Sequence, residues 1–238
     1  MTFNFPEGEV LLFDKPLGWT SFDVVNLVRS FVRKIYGIKK LKVGHAGTLD
    51  PMATGLLIIC TGKMTKQINA YQGMDKVYTG QMQLGAITPS FDKETEPDNH
   101  FDISGITMEL MQSASKNFLG EIKQIPPVYS AIKIKGKRAY QYARDEEELK
   151  LKSRKVLIHD FQIINFEPPF VDFYVRCSKG TYIRSLVRDF GQSLNNGAFL
   201  TALKRTQIGD YKLSSAWTIE NFKQEVLRQT GTAYEAQK

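Results

Sequence analysis

Cysteine and histidine are scarce in this chain. Its 238 residues hold two cysteines, Cys60 and Cys177, and three histidines, His45, His100 and His159. The cysteines lie far apart in apolar surroundings, which fits buried thiols rather than a disulfide or a thiolate metal site. The histidines fall at no metal-ligand spacing, so no metal is expected. No serine sits in a nucleophile-elbow motif and no cysteine stands beside a histidine, so hydrolases of those classes find no support. Long apolar runs are missing as well. The longest, "LLIIC", is far short of a membrane span. The stretch "MTFNFPEGEV" has neither the basic segment nor the apolar segment of a secretory signal. A cytoplasmic protein with no membrane partner is expected.

What is present is ordinary globular composition, 42% hydrophobic and 24% charged, with a net charge of +7. The length suits one large domain or two small ones and allows a core without staples. The basic residues cluster. Arg29, Arg33, Lys34, Lys39, Lys40 and Lys42 form one group. Lys133, Lys135, Lys137, Arg138 and Arg144 form a second, interleaved with Tyr129, Tyr140 and Tyr142. Lys150, Lys152, Arg154 and Lys155 form a third. Any one group reads as a solvated face; three in one modest chain point to RNA or DNA.

Periodicity predicts an α+β chain. "VLLFDKP" reads as a strand ended by Pro16. Thr20 or Ser21 caps a helix with Val24, Val28, Phe31, Val32 and Ile35 on its apolar face. "GLLIICTG" is a continuously apolar buried strand, and Lys63 to Tyr71 a short helix. "KVYTGQMQLG" alternates, with Tyr78, Met82 and Leu84 on one face. A polar, acidic segment follows from Ala86, long for a plain connection. Helix is predicted from Ile106 to Phe118, and a turn at Gly136. Two strands flank the Pro168-Pro169 turn. A last long helix carries Ile183, Leu186, Val187, Phe190 and Leu194, with Arg184 and Arg188 on one stripe.

The most constrained segment is "GHAGTLDPMATG", Gly44 to Gly55. Its glycines permit close backbone approach, and Pro51 pushes Asp50 toward an extended backbone. A phosphate-binding loop is ruled out, since no Gly-Lys-Ser/Thr follows. Two-carboxylate glycosidase chemistry needs a partner acid that the loop lacks. In isolation Asp50 reads as a structural Asp-Pro turn. Arg184, at a helix start, suits a carboxylate or a phosphate, but alone reads as an exposed helical arginine.

Five motifs in order change that reading. "DKPLGWTS" (Asp14 to Ser21), "VGHAGTLDPMATGLLIICTGKMTK" (Val43 to Lys66), "KVYTG", "PPVYSAIK" and "CSKGTYIRSL" resemble bacterial tRNA pseudouridine synthases of the TruB type, over nearly everything from Val10 to about Phe222. The resemblance implies the pseudouridine synthase fold, a central mixed or antiparallel sheet flanked by helices. It implies an isomerase that converts uridine-55 of the tRNA TΨC loop to pseudouridine without metal or cofactor. It makes Asp50 the nucleophile, Arg184 its active-site arginine and Tyr78 the platform for the flipped uracil. His45, Tyr182, Leu203 and Lys15 become substrate-binding residues. Direct attack at C1′ and a glycal route both remain open. The basic groups become a track for the tRNA backbone.

One catalytic domain is expected over residues 1–238, and the protein is expected to act as a monomer that binds the T arm. An insertion over roughly 86–123 is expected to grip that arm. About 30 residues follow "LKRT" (Leu203 to Thr206), too few for the C-terminal PUA domain that many members carry, so that domain is expected to be missing. The stretch "ARDEEELK" departs from the family's usual glycine-containing turn. Outside the enzyme class, the basic clusters also suit a tRNA-binding or folding factor whose catalysis is dispensable. An RNA glycosylase releasing uracil is a third reading.

Overall fold

The structure, a computed structural model, describes residues 2–130, 133–134, 137–144 and 151–231. The expected turn at Gly136 and most of "ARDEEELK" lie outside them, as do Lys135 and Lys150. In chain order the elements are β1 (Val10–Lys15), α1 (Ser21–Tyr36), β2 (Val43–His45), β3 (Ala53–Thr61), α2 (Ile68–Gly73), β4 (Lys76–Leu84), β5 (Ala86–Ile87), β6 (Asn99–His100), α3 (Met108–Lys116) and β7 (Gly120–Gln124). There follow β8 (Lys133–Ile134), β9 (Lys137–Arg138), α4 (Ala139–Arg144), β10 (Arg154–Glu167), β11 (Phe170–Cys177), α5 (Ile183–Ser193), β12 (Ala198–Ile208), β13 (Tyr211–Lys212) and α6 (Ile219–Thr230). The class is α+β, as expected. The chain packs as two compact units, Met1–Lys76 with Lys204–Lys238, and Val77–Leu203.

In the first unit β3 is the central strand. It pairs antiparallel with β1, from Val10 opposite Cys60 to Lys15 opposite Gly55, and with β2, from Val43 opposite Thr61 to His45 opposite Ile59. Successive side chains of a strand point to opposite faces. Leu57 and Ile59 therefore enter one core cluster, while Leu56, Ile58 and Cys60 enter another. Both faces being covered explains why "LLIIC" shows no alternation. One cluster receives the valine face of α1 and Phe222 of α6. Phe222 is fully buried, with the rings of Phe3, Phe5, Phe13 and Phe31 around it.

Helix α1 starts at a capping box. The Thr20 side chain accepts from the Asp23 N–H while the Asp23 side chain accepts from the Thr20 N–H. That satisfies two otherwise orphaned donors and contributes about 1 kcal/mol. The helix ends where Gly37 turns left-handed at φ 64°.

In the second unit β10 and β11 form a long antiparallel hairpin, with β7 on the outer side of β10 and β4 beside β11. Tyr78, Met82 and Leu84 of β4 are buried together, and Thr79 faces solvent. The aromatic rings of Phe118, Phe161, Phe173 and Phe190 meet edge-on or tilted between the sheet and the helices. The acidic segment after Ala86 contains the short β5–β6 hairpin, and the helix beyond it is trimmed to α3. The Lys63–Tyr71 stretch is a 3₁₀ turn, Gly62–Gln67, leading into α2. Helix α5 is not the last: α6 follows it, and β12 lies between them where the periodicity predicts no strand.

Candidate active site

The loop carrying Asp50 joins β2 to β3 in the first unit, and its main chain is held from three directions. Ser21, at the start of α1, is 2% exposed. Its Oγ accepts from the Leu49 N–H at 2.8 Å and donates to the Leu49 carbonyl at 3.2 Å. One residue beyond Asp50, the Pro51 carbonyl accepts from the Gly18 N–H at 2.9 Å. At the loop's base the Arg205 guanidinium spans both arms. Its Nε donates to the Leu56 carbonyl at 2.7 Å and its Nη2 to the Gly47 carbonyl at 3.1 Å. Arg205 is only 1% exposed. Gly55 must be glycine here: its φ is +98°, and a Cβ would lie 2.3 Å from the Arg205 carbonyl oxygen.

Lys15 ends β1 with its side chain fully buried, and its ammonium donates to the carbonyls of Pro16 at 3.0 Å and Trp19 at 2.6 Å. Burial pulls its pKa down to about 8; the Asp50 carboxylate opposes this and the Arg205 charge adds to it. Lys15 is thus a cation in electrostatic reach of Asp50. Lys15 also lines a cavity of about 430 Å³ with Asp14, Trp19, Thr54, Lys204 and Glu220. His45, on β2, has its pKa lowered by burial, with the Arg205 charge adding and the Gly47 backbone opposing. It is therefore a neutral ring at physiological pH, suited to hydrogen bonding and stacking rather than to a permanent ion pair.

Tyr78, Tyr182, Arg184 and Leu203 belong to the second unit. Tyr182 is the residue before α5, and the Gln124 side chain clasps its main chain. Gln124 Oε1 accepts from the Tyr182 N–H at 2.7 Å, and its Nε2 donates to the Tyr182 carbonyl at 3.1 Å. The Arg154 guanidinium stands 4.4 Å over the Tyr182 ring. Leu203 is half-buried on β12, and Tyr78 is 8% exposed on β4.

Arg184 is 4% exposed, not the exposed helical arginine that its sequence position alone suggests. Its Nη1 lies 3.1 Å from Asp92 Oδ2 and donates to the Ser90 carbonyl at 3.2 Å; its Nη2 donates to the Tyr129 carbonyl at 2.8 Å. Asp92 is itself held by the Ser90 hydroxyl at 2.6 Å and the Glu94 N–H at 2.9 Å. Such a buried pair, with both terminal nitrogens of Arg184 hydrogen-bonded, fixes the guanidinium in one place, and losing either partner strands a charge at a cost of about 3–5 kcal/mol.

The sequence offers Ser21 only as a helix cap, a role that Thr20 takes, and singles out none of Arg205, Gln124 and Asp92. Ser21 and Arg205 do lie within "DKPLGWTS" and "LKRT". Asp92 sits in a polar acidic stretch where nothing in the spacing singles out one carboxylate.

Among proteins of known families, the model of the TruB family pseudouridylate synthase N-terminal domain matches residues 33–183, and that of the tRNA pseudouridylate synthase B C-terminal domain matches residues 184–237. The chain belongs to the TruB family. TruB relatives include tRNA pseudouridine synthase B of Phocaeicola vulgatus, 52% identical over 219 residues, 92% of this chain and 93% of that one. The tRNA pseudouridine synthase B of Flavobacterium johnsoniae is 52% identical over 224 residues, 94% and 98% of the two chains. Solved structures show the same fold beyond TruB itself. A chain of a Cbf5-Nop10-Gar1 complex matches with a TM-score of 0.71 and 28% identity, over 96% of this chain and 58% of that one. A chain of an H/ACA RNP bound to a substrate RNA containing 2′-deoxyuridine matches with a TM-score of 0.67 and 25% identity, over 96% and 57%. This TruB chain therefore spans little more than half the length of those two. Among the described residues no helix is long and apolar enough to cross a membrane.

Proposed function

We propose that this chain is a tRNA pseudouridine synthase, converting uridine-55 of the TΨC loop to pseudouridine with Asp50 as nucleophile. The observation that carries the reading is the identity of about half the residues with two proteins named tRNA pseudouridine synthase B, over nine tenths or more of every chain compared.

The chemistry asks for a carboxylate placed accurately and a base removed from its stack. Asp50 is that carboxylate. Covalent attachment at C1′ divides one hard displacement into two easier ones. On the direct route the Asp50 carboxylate bonds to C1′ as the N1–C1′ bond breaks with its electron pair going to the uracil; the base turns, and C5 bonds to C1′ as the Asp50–C1′ bond breaks and frees the carboxylate. The C5 proton is then lost and N1 gains one, so the RNA keeps its composition. The Ser21, Gly18 and Arg205 contacts keep Asp50 from drifting, and misplacement by about 1 Å can cost about 100-fold in rate. Arg184 is the active-site arginine of this reading, and Asp92 fixes its orientation. Unstacking the uridine costs a few kcal/mol, which a tyrosine platform at Tyr78 and apolar contact at Leu203 offset. His45, Tyr182 and Lys15 complete the contacts to the displaced nucleotide and its loop.

Arg33, Lys34, Lys39 and Lys40 are exposed at the end of α1 and beyond it, and supply phosphate contacts. The segment 86–123 supplies the grip on the T arm. The protein works as a cytoplasmic monomer. The test is pseudouridine mapping on unmodified tRNA incubated with the protein. Product at the T-loop uridine with no mass change supports the reading. Free uracil would indicate a glycosylase, and binding without product a folding factor.

A further inference from the structure

The turn that grips Arg184 contains a backbone outlier. Phe91, between Ser90 and Asp92, has φ +62°. A bulky residue rarely adopts this left-handed conformation, which suits glycine, asparagine or aspartate. The outlier is tied down on both sides. The Phe91 N–H donates to the Thr88 carbonyl at 3.1 Å, and its own carbonyl accepts from the Leu200 N–H at 3.0 Å. The Phe91 ring lies under the Arg188 guanidinium, 4.6 Å from ring centroid to carbon. Arg188 is one helical turn after Arg184 on α5, so both project from the same face. Its own position is set by Asp189, 2.6 Å away.

Each of these facts bears on Arg184. The residue before Phe91 offers its carbonyl to Arg184 Nη1, and the residue after it offers its carboxylate to the same nitrogen. Two acceptors on adjacent sides of one residue converge because the chain reverses between them, and the positive φ is that reversal. With the ring held against Arg188, the turn Thr88–Thr95 grips two arginines of α5 at once.

We propose that Phe91 is a positioning residue for Arg184. Its ring, clamped by Arg188, holds the turn in the left-handed conformation that aims Ser90 and Asp92 at the Arg184 guanidinium. Strained backbone of this kind persists only where the surroundings enforce it, and it concentrates at functional sites. The proposal rests on the reading of Arg184 as an active-site residue.

The experiment compares Phe91→Ala, Phe91→Tyr, Arg188→Gln and Arg184→Gln in single-turnover pseudouridylation of a T-arm transcript. Transcript affinity and Tm are measured alongside. The expected result is a loss of at least about 10-fold in the rate constant for Phe91→Ala, with transcript affinity within about 2-fold of wild type. Phe91→Tyr keeps the cation–π contact and retains the rate, whereas Arg188→Gln loses rate like Phe91→Ala. A Phe91→Ala variant at full rate beside an inactive Arg184→Gln overturns the proposal. So does equal loss of rate and affinity, or a Phe91→Tyr variant as slow as Phe91→Ala. An Arg184→Gln variant at full rate overturns the underlying reading of Arg184 instead. If Phe91→Ala does not fold, the Tyr and Gln arms still decide.

Discussion

Replacing Ser21 by alanine removes one oxygen and tests whether the Asp50 loop is held as described. The Ser21 hydroxyl serves both polar groups of Leu49, the residue immediately before Asp50, and both residues are buried, at 2% and 3% exposure. Alanine cannot replace either contact. A buried donor left without a partner costs about 1–3 kcal/mol. The carbonyl bond, the longer of the two, adds about 1 kcal/mol more, for a total of roughly 2–4 kcal/mol. Loss of helix capping does not contribute, because Thr20 caps α1. For a chain of this size that loss lowers Tm by about 4–16 °C. The second consequence is catalytic. The freed main chain relaxes and takes the Asp50 carboxylate with it, so the rate constant for modification falls by about 10- to 100-fold, while transcript binding is retained. Thermal melts and single-turnover assays on one preparation read both effects. A Ser21→Ala protein with unchanged Tm and unchanged rate would refute the reasoning, since no other cause of Leu49's placement would then need Ser21.

Three further outcomes follow from the same geometry. Gly18 (φ +81°) has open space where a Cβ would go, whereas Gly55 (φ +98°) faces the Arg205 backbone; urea unfolding should show Gly18→Ala costing about 1–2 kcal/mol and Gly55→Ala costing about 1–3 kcal/mol more than that, and equal values for both would contradict the packing. Lys15 has a folded pKa of about 8, below its ordinary value of 10.5. Between these values the unfolded chain binds more protons, so stability relative to Lys15→Met rises by roughly 3 kcal/mol from pH 8 to pH 10.5; a pH-independent difference would remove the buried cation. tRNA affinity should fall steeply with salt, the logarithmic slope growing by about 0.7–0.9 for each phosphate neutralised; a flat profile would exclude the exposed basic residues after Arg33 as a backbone track.

The sequence made much of this legible, for identifiable reasons. The capped start of α1 announces itself because Thr20 and Asp23 stand at capping-box spacing. The "LLIIC" strand is readable because burial on both faces leaves an unbroken apolar run. By contrast, β12 alternates poorly: its middle residues Ala202 and Lys204 are exposed while Arg205 is buried, so its pattern resembles neither a surface strand nor a core one. Arg205 in particular inverts the usual rule for charged residues, because two carbonyls of the Asp50 loop satisfy it. Asp92 was hidden for another reason. Its pairing with Arg184 spans 92 positions of sequence, and periodicity reports only local order. Asp50 itself carried no physical signal beyond a tight turn; the ordered series of motifs around it did.

The most direct test is therefore Asp50→Asn, which keeps the side-chain shape and removes the charge and the nucleophile. Pseudouridine is mapped at the T-loop uridine of an unmodified tRNA, and binding of the same tRNA is measured in parallel. Loss of all detectable product with binding within about 3-fold of wild type is the predicted result, because Asp50 would supply chemistry and not affinity. Pseudouridine formed at the wild-type rate by the Asn variant would contradict it.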